Sequence, residues 1–537
     1  MRRIFAVLLT LAVAVTVCSC ESAETEVPVV TTTKAVDEAL GTGTLSLQFS
    51  ASDSLNPYEA QTLANQQISS LLYDGLVCLD EDLNPTYRIA QRISLSGKKC
   101  TVTLKSVMFS DGTAITADDV VYSIKRAKEA KYSGYADQLK NIVSYSASGD
   151  GTFVFTTEYE DINIASILDF PIIKSGSEDM ANDDGKEIPP IGAGRYVYNE
   201  DSGVYTLTGN SKYYRTVPKN TVYLVNTPDE ESLDFNIRSG NVNICYSGIN
   251  IEDLPSMNGN IYRAKQTNFV FIGMNTQEGI LRRSDLRKAV SACLDRDAII
   301  KEAFYTYAKG ADNLFPSGYS TTKELDGVIS TIQNAEACKS YLKSAGYENG
   351  ITLTLLYNKD NLYHADTAEL IISQAAACGI TVKADGRNYK NYKACVESGN
   401  YTMYLGEVKL SKSLDFTSLI NKDNTYNIIE TEKINTTITS TQKKTASLPS
   451  GATVVNTTGA ATTEADNIKV RKICDVYESY MKGKIKASEL VNAFIESMPF
   501  VPVCWRMGVV SSSSSVSPVA VATASDAYYN IELLTVE

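Results

Sequence analysis

The stretch from Leu71 to Lys125, LLYDGLVCLDEDLNPTYRIAQRISLSGKKCTVTLKSVMFSDGTAITADDVVYSIK, carries the densest structural instruction in the chain. Apolar residues alternate from Cys100 to Leu104, as in a strand with one buried face, and Asp111-Gly112 is a turn pair. A helix starts at Thr116. Thr116 is placed to cap it, Asp119 completes a capping box, and Ile115 can staple against Val120. Asp118 and Asp119 sit where the helix dipole favours negative charge. Val120, Ile124 and Ala127 follow at helical spacing and give the helix an apolar face.

The run Phe109 to Ser123, FSDGTAITADDVVYS, resembles the signature of solute-binding protein family 5, the extracellular peptide-binding lipoproteins of ABC importers. Other segments similar to the family's follow in order. They are Asn56-Pro57 after a first strand, Tyr73-Asp74-Gly75-Leu76, Ile191 to Tyr196, Asn268 to Asn275, Leu281 to Arg296, and Pro499 to Trp505. The resemblance spans roughly residues 44–535 and weakens between 400 and 465. It implies an α/β, two-lobed periplasmic-binding-protein type II-like fold, with an extra subdomain in lobe one, a hinge and an interlobe cleft.

Composition agrees with a large exported body. The chain has 537 residues, enough for two or three cores, with 43% hydrophobic and 21% charged residues. Its net charge of −13 becomes about −15 once Arg2 and Arg3 leave with a signal peptide. Such acidity argues against nucleic-acid binding, which needs a basic footprint. Residues 1–20 read as a lipoprotein signal: Arg2 and Arg3, an apolar run from Ile4 to Val17, then Ser19-Cys20. Cys20 is the expected lipidation site, with an ordinary secretory signal as the alternative. Nine further cysteines are scattered singly with no CxxC, which favours buried free thiols over a disulfide framework.

Along the chain, residues 21–43 read as a flexible linker. Lobe I is expected over 44–270, with the extra subdomain at about 65–185. Lobe II is expected over 271–496, and 497–537 returns to lobe I. The nearly continuous apolar run Asn268 to Asn275 suits a strand buried on both faces, in the segment where the resemblance places the crossing between lobes. In lobe II, helices ending at Gly346 and Gly379 alternate with strands at Ile351 to Leu356 and Ile380 to Val382, as in α/β layers. A Thr- and Ser-rich insertion occupies about 437–465. Ser511 to Ser515 reads as a loop before a last strand near Tyr528 to Leu533.

Enzyme readings find little support. The one histidine, His364, excludes a multi-histidine metal site and, placed before a helix, reads as a surface residue. No GxSxG, HExxH, P-loop or EF-hand pattern occurs. The Gly-x-Gly at 192–194 lacks a third glycine and a following helix, so a tight turn is the better reading than a phosphate loop. No catalytic residue, metal or cofactor is assigned.

The resemblance instead implies a peptide held as an extended strand in the cleft, with its free amine on a carboxylate after the lobe II strand. That region, Tyr401 to Asp415, departs from the family pattern: Thr402 replaces a common aspartate, and the customary tryptophan is missing. Glu407 is the first candidate for the amine partner and Asp415 the second, against a solvated carboxylate and a helix cap respectively. Tyr404, Tyr246, Ser247 and Asn275 are further cleft candidates, the two tyrosines having an alternative as core residues with a polar tip. The expected partners are a peptide, the permease of an ABC importer and, through the lipid anchor, the membrane, with the protein a monomer. Alternatives are a metal chelate, an oligosaccharide or a signalling peptide on the same fold, a secreted hydrolase, or a surface adhesion protein.

Overall fold

The computed structural model describes residues 43–181, 185, 187–249, 257–420 and 464–537. The expected signal with Cys20, the linker up to residue 42, and residues 437–463 of the expected insertion lie outside them.

Two long antiparallel strands, Gly259–Met274 and Phe500–Ser513, run through the molecule and organise it. Beside the Ser513 end lie Ile244–Gly248, Leu45–Phe49, Val222–Asn226, Val204–Gly209 and Tyr196–Asp201, in that order. Beside the Met274 end lie Met403–Lys409, Ile351–Asn358 and Ile380–Arg387, while Ala308–Gly310 pairs with the Phe500–Ser513 strand. One strand pair is thus shared by two lobes. Its register breaks at the crossing: Lys265 faces Met507 and Phe269 faces Trp505, so residues 266–268 stand opposite Arg506 alone. Extra residues on one strand let a ladder bend locally.

Each lobe has its own core. Leu47, Leu224 and Ile244 belong to the first, which continues into Phe109 and Phe153. Phe269, Leu355, Leu405, Phe494 and Trp505 belong to the second. Phe109 and Phe153 come from a subdomain whose sheet runs Ala90–Ser96, Lys99–Leu104, Thr152–Thr157, Ile142–Ala147. The helix Ala117–Glu129 packs against it, closed at its start as its residues dictate. Asp119 N donates to Thr116 Oγ1 at 3.4 Å, and Thr116 N donates to Asp119 Oδ2 at 2.9 Å.

Gly192 and Gly194 serve close approach rather than a tight turn. A Cβ on Gly192 would lie 2.2 Å from Leu72 O, and one on Gly194 2.3 Å from Leu72 C, so only glycine lets this segment pass the end of the helix Leu63–Leu72. Gly194 N donates to Leu72 O at 2.9 Å.

Several local expectations need correction. The Leu281 to Arg296 segment forms the helix Ser284–Ala292, and a second helix, Arg296–Glu302, follows, capped by Asp295. Arg287 is buried, with its guanidinium donating to the carbonyls of Leu281, Arg282, Ser497 and Met498. Cationic charge suits the C-terminal end of the helix Ala487–Ser497. Ser511 to Ser513 continue the long strand instead of forming a loop, and Ile531–Leu533 is a 3₁₀ turn, not a strand. His364 is buried, because Asn361 caps the helix Leu362–Ala377 earlier than the sequence pattern suggested and turns His364 inward. The nine cysteines of the described residues are all buried free thiols.

Candidate functional site

A cavity of about 770 Å³ opens beside the crossing strands, between the two lobes and the subdomain. Gln266, Thr267 and Asn268 form part of its wall from the crossing itself. Gln66, Ser69 and Ser70 come from the helix Leu63–Leu72, and Tyr246, Ser247 and Gly248 from the end of a lobe I strand. Lobe II supplies Val408 to Lys412 and Asp415. The volume is in the range of small-ligand pockets, and several walls are polar main-chain or hydroxyl groups.

Of the candidate residues, the structure brings Tyr246, Ser247 and Asp415 onto this wall. Tyr246 is mostly buried, and its hydroxyl accepts from Gln266 Nε2 at 3.4 Å. Asp415 is well supplied with donors: Oδ1 accepts from Tyr477 Oη and Thr417 N, each at 2.8 Å, and Oδ2 from Tyr159 Oη at 2.6 Å.

Glu407, Tyr404 and Asn275 stand away from the cavity wall. Tyr404 is buried in lobe II, its ring 5.8 Å from that of Phe271 and 4.7 Å from that of Tyr401. Asn275 closes the turn after its strand, its Oδ1 accepting from Gln277 N and Glu278 N. Glu407 sits behind the crossing. Its Oε1 accepts from Asn268 Nδ2 and from Arg506 Nη1, both at 3.4 Å, and its Oε2 lies 3.6 Å from His364 Nε2. Burial pushes the Glu407 carboxyl up, but His364 and Arg506 outweigh it and hold its pKa below the usual value.

Arg506 links both halves at this point. Its guanidinium pairs with Glu407 in lobe II, lies 4.6 Å from the centre of the Tyr363 ring, and donates through Nη2 to Ile249 O of lobe I at 2.6 Å. The halves also meet away from the hinge. Ile162 N donates to Met481 O at 3.0 Å, Asn163 Nδ2 to Tyr480 Oη at 2.8 Å, and Lys412 pairs with Asp169. Sequence reasoning missed Tyr159, Arg506, Lys409 and Lys412. The available signal for the lysines was their place in the divergent 401–415 stretch.

Residues 84–427, more than half of the chain, match the model of bacterial extracellular solute-binding proteins, family 5 Middle. The chain belongs to this family. Among curated family-5-like relatives, the oligopeptide-binding protein AppA of Bacillus subtilis is 25% identical over 356 residues, covering 60% of this chain and 64% of AppA. The matched part thus spans somewhat under two thirds of that relative. The glutathione-binding protein GsiB of Escherichia coli K12 is 24% identical over 357 residues, covering 64% of this chain and 69% of GsiB. The fold of HbpA2 from Haemophilus parasuis superposes with a TM-score of 0.66 at 17% identity, covering 92% of this chain and 99% of that one. The two-lobed α/β architecture of this family-5 protein is therefore that of the periplasmic-binding-protein fold. Among the described residues, no group of three His, Cys, Asp or Glu side chains is arranged to hold a metal ion.

Proposed function

We propose that the protein is the substrate-binding lipoprotein of an ABC importer, anchored through Cys20 outside the cell membrane, and that it carries peptides to its permease. The observation that carries this reading is the cavity beside a strand pair shared by both lobes, in a chain of the extracellular solute-binding family. The names of AppA and GsiB, which bind an oligopeptide and glutathione, support peptide cargo. Tyr246, Ser247 and Asp415 are the proposed cleft contacts; Glu407 is proposed to act through the hinge, with Tyr404 and Asn275 as supports of the lobe II wall. Ligand binding favours the shut arrangement of the lobes, and the permease reads that arrangement.

A thermal-shift screen of the full chain against di- to decapeptides, sugars and metal chelates tests it. A cognate peptide at a hundred times its dissociation constant adds roughly 2.7 kcal/mol of stability without being consumed. Stabilisation by sugars or chelates alone contradicts peptide cargo. Turnover of the ligand contradicts a carrier.

A further inference from the structure

Two of the buried free thiols of lobe II, Cys338 and Cys378, lie side by side although 40 residues separate them. Cys338 stands on the inner face of the helix Ala335–Ser344, and Cys378 closes the C-terminal end of the helix Leu362–Ala377. The Cys338 thiol reaches Cys378 O at 3.9 Å and is in hydrogen-bonding contact with the Cys378 thiol. The backbone repeats the approach one turn along: a Cβ on Gly379 would lie 3.9 Å from Leu342 Cδ1, and Leu342 shares the face of Cys338.

A third thiol, Cys293, is near both but is committed elsewhere, donating to Val290 O of its own helix at 3.1 Å. The pair itself lies just beneath the surface. Lys339, Ala376, Ala377 and Gly379, which flank the two cysteines in sequence, are all exposed, and a helix end is where local opening takes least free energy. Burial, and then Cys378, push the Cys338 thiol up to about 12. Burial also raises Cys378, but there the hydrogen bond from Cys338 and the Lys339 ammonium oppose it, so Cys378 is the thiol disposed to react first.

We propose that Cys338 and Cys378 form a dithiol modification site, closed to a disulfide by a low-molecular-weight disulfide outside the cell. The Cys378 thiolate attacks one sulfur of the oxidant, whose S–S bond breaks and releases one small thiol carrying a proton. Cys338, deprotonated in turn, attacks the Cys378 sulfur and expels the second small thiol. Two protein thiols are oxidised and one small disulfide is reduced to two thiols. The new bond ties the helix Ala335–Ser344 to the corner where the helix Leu362–Ala377 meets the strand Ile380–Arg387, and closes the loop 338–378. Neither cysteine lines the cavity, so the inference does not rest on the carrier reading.

The test is to expose the folded full chain to oxidised glutathione, then denature it, alkylate the remaining thiols with N-ethylmaleimide, digest it and map the peptides by mass spectrometry. The expected result is a linkage between the Cys338 and Cys378 peptides, a chain two hydrogens lighter before alkylation, and an alkylated Cys293. Cys293→Ala should keep the linkage, and Cys378→Ala should lose it, with circular dichroism showing each variant folded as the parent is. Alkylation of both Cys338 and Cys378 overturns the proposal. Glutathione retained on either of them without a cross-link overturns it as well, because the second thiol would then be out of reach. A linkage to Cys293, or one that forms only after denaturation, also contradicts it.

Discussion

Tyr159 donates its phenolic hydrogen to Asp415 Oδ2 at 2.6 Å, joining the subdomain of one lobe to the wall of the other. Burial and the Asp415 charge both disfavour ionisation of this phenol, so it remains a donor. Asp415 has no lone oxygen: Tyr477, Thr417 and Tyr159 share the two. Opening removes only Tyr159, because Tyr477 and Thr417 lie on the same lobe as Asp415.

Tyr159→Phe should therefore weaken the shut form without unfolding either lobe. A hydrogen bond to a charged group contributes about 1.5–3 kcal/mol, so the closed population falls by roughly tenfold or more relative to the open one. Small-angle scattering of the ligand-free protein should show a larger radius of gyration, with an unchanged melting temperature for the individual lobes. An unchanged radius would mean that Tyr159 does not hold the lobes together.

Asp161, two residues along from Tyr159, should make the stability of the protein pH-dependent. Burial first, then the nearby Asp415 charge, raises its pKa to about 7, against hydrogen bonds from Ser413 and Asn163 N. Because the folded value lies above the ordinary 3.8, its contribution to stability is fully present below about pH 4 and is lost as pH rises through about 7. Asp161→Asn should remove this dependence. Melting curves at pH 5 and pH 8 check it: the difference between them should shrink in the variant, and an identical difference would show that another group titrates.

Glu407→Gln should act on the hinge. It leaves Arg506 and His364 beside a neutral amide behind the crossing strands, at a cost of about 1–3 kcal/mol. The depressed pKa of Glu407 gives the parent a stability contribution that is present above about pH 4.5 and lost as pH falls through its lower folded value. Urea denaturation at pH 7 should show the loss, and at acid pH parent and variant should converge. Equal stability at pH 7 would remove Glu407 from the hinge account.

Gly194→Ala should be far more damaging than an ordinary surface substitution. Its methyl meets the Leu72 backbone at 2.3 Å, where nothing can rotate away. Overpacking of this kind costs about 1–3 kcal/mol. Chemical denaturation should show that loss; a change within about 0.5 kcal/mol would show that the segment can move aside.

The fold was legible where local chemistry determines local structure. Thr116 and Asp119 lie three residues apart and close their capping box with no help from elsewhere. The apolar run Asn268 to Asn275 marked the buried half of a crossing strand, but not its polar half from Gly259, whose pairing is supplied by a strand some 240 residues further on. The site was harder for the same reason. Glu407 and Arg506 are 99 residues apart in sequence and meet only because both strands flank the crossing. Alternation along Met403–Lys409 does not reveal that Glu407 is already paired with Arg506 behind the crossing. His364 was misread because its burial depends on where the helix starts: Asn361 caps it ahead of His364, which therefore lies within it.

The central claim is a clamshell that holds cargo and releases it unchanged. Native mass spectrometry of the full chain mixed with a tri- to hexapeptide library, followed by denaturing release, tests it most directly. The account predicts one peptide per chain, recovered at its original mass. Peptides recovered as fragments, or no adduct with any member of the library, would contradict it.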